Sequence, residues 1–218
     1  MTVPKANPAA ARVVSFTPSK DRVDTSKRRE LHDRLSDQVE AGRQYVSALE
    51  SLSRCRELEL NEAEVMNSLN QALKCLMAAV DANDGAVLIM DEDSGDLVFA
   101  LAHGDAPKDR LLWQKVPAGR GVAHWVAAHR RGAIVNSTLN DERFYSGIDA
   151  VSGFHTRSIV AVPLLDGDRV LGVIEVLNKR DGQFFSLSDQ NHLTLMAHLA
   201  SALMVQLRDR ESENTAGE

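Results

Sequence analysis

The sequence predicts an α+β fold in which helices at both ends flank an antiparallel sheet, and three observations carry that prediction. Apolar residues recur at helical spacing before residue 80 and again after residue 188. Between them the chain breaks into short strand-like runs rich in Val, Ile and Leu. Neighbouring runs are joined by tight turn sequences, Ser94-Gly95 and Asp166-Gly167-Asp168, the connection that an antiparallel pair permits. With 218 residues there is room for one full domain and an extension.

Residues 1–25 mix Pro, Ala, Ser and charge without periodicity, and the expectation there is a disordered lead-in. A helix is expected over 26–58. Leu31, Leu35, Gln38, Gly42, Tyr45, Leu49 and Leu52 step along it by four and three residues in alternation, a heptad seam with two weak members. Val39 and Val46 stand beside the seam and widen it, as in a single amphipathic helix lying on its own domain. Both readings stay open, and they coexist if this helix packs between two copies of the chain. Asn61 and Glu64 form a capping-box pair that opens a second helix carrying Val65, Leu69, Leu73, Leu76, Met77 and Val80, closed by residues 81–85.

A hairpin follows, with strands over 86–90 and 97–102, and then a mixed segment containing Trp113. The stretch "VPAGRGVAHWVAAHRRGAIVNS" reads as a Pro-Gly loop, a short helix over 121–129, a stop at Gly132 and a strand over 133–136. "TLNDERFYSGIDAVSGF" reads as a loop with one short helix. "RSIVAVPLL" and "RVLGVIEVLNK" are the last two strands, and a final helix is expected from Ser188 to about Arg210, followed by a disordered tail over 211–218. The sheet therefore has five or six strands.

Composition narrows the function classes. Hydrophobic content of 44%, charged content of 26% and a net charge of -6 describe an ordinary globular chain without the basic footprint that nucleic acid requires. Lys27-Arg28-Arg29 is surrounded by Asp21, Asp24, Glu30 and Asp33, a mixed-charge surface. Cys55 and Cys75 form no CxxC and read as buried, reduced thiols. No apolar run approaches the roughly 18 residues that cross a bilayer, and there is no signal core, so the expected location is the cytoplasm, with no membrane partner.

Enzyme templates fail on residue type or spacing. His124/His129 and His192/His198 are five and six residues apart, whereas two metal ligands on one helix face need three or four, so no metal site is expected. GxSxG and GxxxxGK[ST] are absent, and Gly119-Arg120-Gly121 lacks the Lys and hydroxyl of a phosphate loop. No catalytic residue is assigned, and the chain is expected not to be an enzyme. What remains is a polar set in the middle region: Asn136, Arg143, Asp149, Ser152, Thr156, Arg157 and Glu175. Glu175 interrupts the run Val173, Ile174, Val176, Leu177. It is either a solvent-facing position allowed by strand alternation or a buried carboxyl awaiting a donor-rich partner.

The run from Ala133 to Gln190 resembles a GAF domain, most closely the regulatory GAF domains of cyclic-nucleotide phosphodiesterases and adenylyl cyclases. The likeness rests on Arg143-Phe144, Asp149, Ser152-Gly153-Phe154, Thr156-Arg157-Ser158, Pro163, Gly172-Val173 and Asn178-Lys179 with Phe185 and Asp189, and in weaker form it spans residues 60–210. The resemblance implies an antiparallel six-stranded sheet with the N- and C-terminal helices packed on one face and a ligand pocket on the other. It implies a homodimer through the terminal helices, a small-molecule ligand, cAMP or cGMP in the cyclic-nucleotide branch, and a downstream signalling protein. No other cofactor is implied.

Carried over residue by residue, the ligand positions are His103, Ala123, Ser152, Thr156 and Glu175. Departures stand at Ala102-His103, where the branch has an aromatic followed by an acid that reads the purine edge, and at Ala86, where a small polar residue is common. One branch of the family reduces methionine sulfoxide with pocket cysteines, but this chain has no cysteine after Cys75. Asn178, Lys179, Phe185 and Asp189 are read as a structural motif: a Lys179–Asp189 ion pair pins the last strand to the last helix, and Phe185 plugs the loop between them. Two functions remain open, a stand-alone sensory module acting through a dimer or a partner, and a scaffold that binds no ligand and serves dimerisation and protein contacts.

Overall fold

A computed structural model describes residues 25–55, 61–105 and 108–216. Residues 1–35 and 36–218 form two units. The expected lead-in lies outside the described residues up to position 24. Helix α1 (Thr25–Cys55) opens in the first unit, where Leu31 and Leu35 are exposed.

In the second unit, helix α2 (Glu62–Ala79) starts at the expected capping box. The Glu64 amide donates to Asn61 Oδ1 at 3.0 Å, and the Asn61 amide donates to Glu64 Oε2 at 2.9 Å, so two of the helix's orphan donors are satisfied reciprocally. The strands are β1 (Ala82–Met90), β2 (Leu97–His103), β3 (Lys115–Val116), β4 (Ala133–Val135), β5 (Ile159–Asp166) and β6 (Arg169–Lys179). They form one antiparallel sheet in the order β3-β2-β1-β6-β5-β4, with the longest strand, β6, near its centre. The remaining helices are α3 (Lys108–Leu111), α4 (Gly121–His129), α5 (Gly147–Ser152) and α6 (Leu187–Ala216), with single 3-10 turns at Thr138–Asn140 and Arg180–Gly182.

Strand alternation divides the core between two faces. Val87, Val160, Val162, Leu164, Ile174 and Val176 meet Leu69, Leu73 and Leu76 of α2, Leu193, Met196 and Leu203 of α6, and Tyr45, Leu49 and Leu52 of α1. Ala86, Leu88, Ile159, Ala161 and Val173 face the other way, toward Val122, Ala123 and Val126 of α4. The terminal helices thus share one face, as expected.

Several elements depart from the sequence reading. β1 begins four positions before the expected Ala86, because Ala82, Asp84 and Gly85 pair with Lys179, Leu177 and Val176 and the turn is confined to Val80 and a left-handed Asp81. α3 and β3 lie in the segment where no element was expected; neither is long enough to show a period. The seam of α1 divides: Tyr45, Leu49 and Leu52 are core, whereas Val39 and Val46 point to solvent rather than widening the packed face. Cys75 is buried, but Cys55 is only partly so. α6 continues to Ala216, into the stretch 211–218 expected to be disordered; Arg and Glu favour helix without an apolar face.

The β6–α6 connection is closed by polar contacts. Lys179 Nζ donates to both carboxylate oxygens of Asp189, at 2.8 and 2.9 Å, with the side chains only 11% and 10% exposed. Asp189 also accepts from the Ser186 amide and hydroxyl at the mouth of α6. Phe185 is buried beside them, with the Lys179 ammonium 5.5 Å from its ring centre, and its amide and carbonyl are held by the Asn136 side chain. Removing one member leaves the other charge buried and unpaired. Asp189→Ala is expected to cost about 3–5 kcal/mol in urea denaturation, and the double replacement Lys179→Met with Asp189→Leu much less. Equal losses in the two variants would contradict a clasp of this kind.

Candidate functional site

The face of the sheet opposite α2 and α6 carries a narrow cavity of about 70 Å³, or about 650 Å³ when the space between its lining atoms and its open mouth are counted. Its floor comes from Ala86 and Leu88 of β1, Phe99 and His103 of β2, and Glu175 and Leu177 of β6. Its walls are the first turn of α4 and the segment 144–156, which contributes Phe144, Tyr145, Ile148, Asp149, Phe154 and Thr156. Aromatic and aliphatic walls with a few polar groups are the usual make-up of a small-molecule site.

Glu175 owes its position to strand periodicity. Val173, Glu175 and Leu177 share one face of β6, and the residues paired with Glu175 on either side are Ala86 and Ala161. Two methyl groups leave its carboxyl uncovered toward the cavity, although the residue is only 7% exposed. Among the described residues no side chain or amide donates a hydrogen bond to it. Burial, followed by the negative charge of Asp149, pushes its pKa up to about 7 from an ordinary 4.5. Of the two readings left open by the sequence, the buried carboxyl holds.

Thr156 is already engaged. Its amide and hydroxyl donate to the two oxygens of Asp149 at 2.8 and 2.7 Å, and its carbonyl accepts from the Thr138 hydroxyl at 2.6 Å. These bonds fasten α5 and the segment after it over the cavity. Ala123 lies in the first turn of α4, where Gly121 and Val122 also line the cavity and Arg120 at the N-cap makes no side-chain capping bond. Free amides and the positive end of the helix dipole suit an anionic or electron-rich ligand group there.

His103 ends β2 at the cavity rim. The turn after it depends on Gly104, whose φ of +119° and contacts exclude a side chain: a Cβ would lie 2.4 Å from the Asn83 carbonyl and 2.5 Å from Asp84 Oδ1. Asp84 accepts from the Asp105 amide at 2.8 Å, so the turn folds back on β1.

Of the five ligand positions expected from the resemblance, four therefore line the cavity: His103, Ala123, Thr156 and Glu175. Ser152 does not. Its hydroxyl donates to the Ile148 carbonyl at 2.8 Å and accepts from the Phe154 amide at 3.1 Å, closing the last turn of α5 away from the cavity. The sequence reading assigned no cavity role to Asp149, Phe144, Tyr145 or Phe154, although Asp149 and both phenylalanines belong to the motif that carried the resemblance. Arg143 turns outward to a bidentate pair with Asp141 and lies over the Trp125 ring. The motif residue Asn178 is buried at the end of β6. It accepts from the Arg157 amide at 2.8 Å and donates to the His155 carbonyl at 3.1 Å and to Asp84 at 3.4 Å.

A family model described as GAF domain matches residues 63–207. Among curated proteins, the chain is 27% identical over 131 residues to the probable 3',5'-cyclic phosphodiesterase pde-5 of Caenorhabditis elegans, covering 56% of this chain and 17% of that protein. It is 32% identical over 99 residues to the rod cGMP-specific 3',5'-cyclic phosphodiesterase subunit alpha of Bos taurus, covering 45% and 11%. The chain thus spans less than a fifth of the length of these relatives. Among solved structures, the GAF domain of a phosphoenolpyruvate-protein phosphotransferase from Coxiella burnetii superposes with a TM-score of 0.63 at 14% identity, covering 78% of this chain and 97% of that one. The free methionine-R-sulfoxide reductase of Neisseria meningitidis, solved with its substrate, gives 0.60 at 20% identity, covering 76% and 91%. At these identities the likeness is one of fold.

The raised pKa of Glu175 sets a pH dependence. Because the folded value of about 7 lies above the ordinary 4.5, the native state holds more protons than the unfolded chain between those limits. Stability contributed by neutral Glu175 is therefore full at low pH, falls as pH rises through the window, and stays lost above it, by up to roughly 3 kcal/mol. In urea melts at pH 5 and pH 8, Glu175→Gln is expected to gain on the wild type at pH 8 and to lack this loss. An identical pH trend in both proteins would rule the effect out.

Proposed function

The chain belongs to the GAF domain family, and from that premise we propose that its cavity binds a small molecule of the cyclic-nucleotide class, cAMP or cGMP, in the service of signalling. The observation that carries this reading is Glu175, a buried carboxyl with no hydrogen-bond donor of its own among the described residues, facing a cavity that also receives the open N-terminus of α4. A buried unsatisfied carboxyl costs free energy that a bound donor or acceptor recovers. Phe99, Phe144, Tyr145 and Phe154 add flat apolar surface against which a purine packs, and the α4 amides suit a cyclic phosphate. Similarity to phosphodiesterases named for cyclic nucleotides supports the same class.

The reading assigns no chemistry to the cavity. Both cysteines lie on the helices: Cys75 belongs to the buried face of α2, and Cys55 ends α1 and meets the Ser68 hydroxyl. Sulfoxide reduction by a pocket thiol thus finds no counterpart among these side chains. Binding regulates something only if it biases a second state or a second protein. A homodimer is the second element of the proposal: Val39 and Val46 of α1 and Leu195 of α6 are exposed and line one shallow groove with His192. The same groove is the observation that favours a scaffold role with no ligand.

Thermal-shift titration with cAMP, cGMP and cyclic dinucleotides separates the two. A sensor gives a rise in melting temperature with one of them, and the rise disappears in the double variant Thr156→Ala, Glu175→Ala while its apo circular-dichroism spectrum persists. No rise with any nucleotide sinks the cyclic-nucleotide reading. Light scattering at micromolar concentration tests the groove, for which a mass of two chains is expected, and a mass of one chain counts against the dimer.

A further inference from the structure

Among the described carboxyls that line the cavity, Glu175 alone receives no hydrogen bond. From β1 the cavity is faced by Asp84, which accepts from the Asp105 amide and from Asn178. Asp149 of α5 accepts two hydrogen bonds from Thr156, one on each oxygen. From β2 comes His103, which has a partner as well, and from the segment before α5 comes the Tyr145 ring. α4 presents only the positive end of its dipole. α3 and β3 present Leu111 and Val116, and β5 presents Ile159. The two strands beside Glu175 offer only the methyls of Ala86 and Ala161. Thus, among the described residues, three carboxyls share one confined space, two of them accepting from donors and the third from none.

We propose that ligand binding in this cavity is coupled to uptake of a proton by Glu175, so that affinity for an anionic ligand falls as pH rises. The proposal rests on the ligand reading above and adds a regulation to it. A cyclic phosphate brings one more negative charge into a space that already holds Asp84 and Asp149. In a desolvated site that repulsion is relieved most cheaply at Glu175, the carboxyl to which no described group donates. The resulting neutral carboxyl has a gain of its own: it carries an O–H donor, which an ionised carboxylate lacks, and a ligand oxygen or ring nitrogen accepts from it. The step is a proton transfer from solvent to Glu175, with no bond made or broken in the ligand.

Isothermal calorimetry on the wild-type chain tests this with cAMP and cGMP as probes, at pH 6 to 8.5 and, at pH 7.5, in two buffers of different ionisation heat. The expected result is a measurable fraction of a proton taken up per ligand and an affinity that falls toward tenfold per pH unit above neutrality. Glu175→Gln, neutral at every pH, is expected to bind without that slope. Binding with the same affinity across the range and no buffer dependence overturns the coupling while leaving the ligand reading intact. A slope that persists in Glu175→Gln overturns it too. Absence of binding by either nucleotide at every pH overturns both.

Discussion

The end of β6 carries two adjacent side chains on which both sides of the molecule depend. Asn178 has a left-handed backbone, with φ of 57°, which Asn tolerates better than most residues. From there its amide binds the His155 carbonyl, the Arg157 amide and Asp84, gathering the segment before β5 and the start of β1 to one point. Its neighbour Lys179 reaches the other way, to Asp189 in the first turn of α6. A single strand end thereby sets the cavity's floor against its wall and the sheet against its helix layer. Because each bond is buried or nearly so, loss of one leaves an unsatisfied group rather than a solvated one.

The cavity follows from that frame and from alternation along three strands. Once β6 is registered between β1 and β5, position 175 must face away from α2 and α6, and its flanking positions must be 86 and 161. Had either been a long polar residue, Glu175 would have had an internal partner. Two alanines leave it with none, and the chain keeps a destabilising carboxyl at its centre. Such local violations of otherwise consistent packing tend to mark function.

Much of this was legible in the sequence where several signals agreed. The bounds of α4 and β6 match their expected ones because a Gly or a turn lies close to each end of a mainly apolar run. The Lys179–Asp189 pair was legible from the family resemblance of its motif together with helix-dipole reasoning. Asp81–Gly85 misled because Asp, Asn and Gly are turn formers by local preference, and only pairing with β6 makes most of them strand. Ser152 misled for a different reason: its place in the motif was right, but rotation around one turn of α5 aims it at the helix's own backbone. Asp149 went unassigned because nothing local announces that a carboxylate will be met, seven residues on, by both the amide and the hydroxyl of Thr156.

α6 is fastened along its length. Asp189 holds its first turn to β6, the Ser201 hydroxyl accepts the Leu165 amide at the bulge in β5, and Arg208 pairs with Asp166 at the end of that strand. A rod pinned at three stations cannot slip by a turn or roll about its axis without breaking all of them together. Mechanically, the helix and sheet are one lever. A displacement of β5 and β6 that keeps these three contacts carries α6 with it as one body.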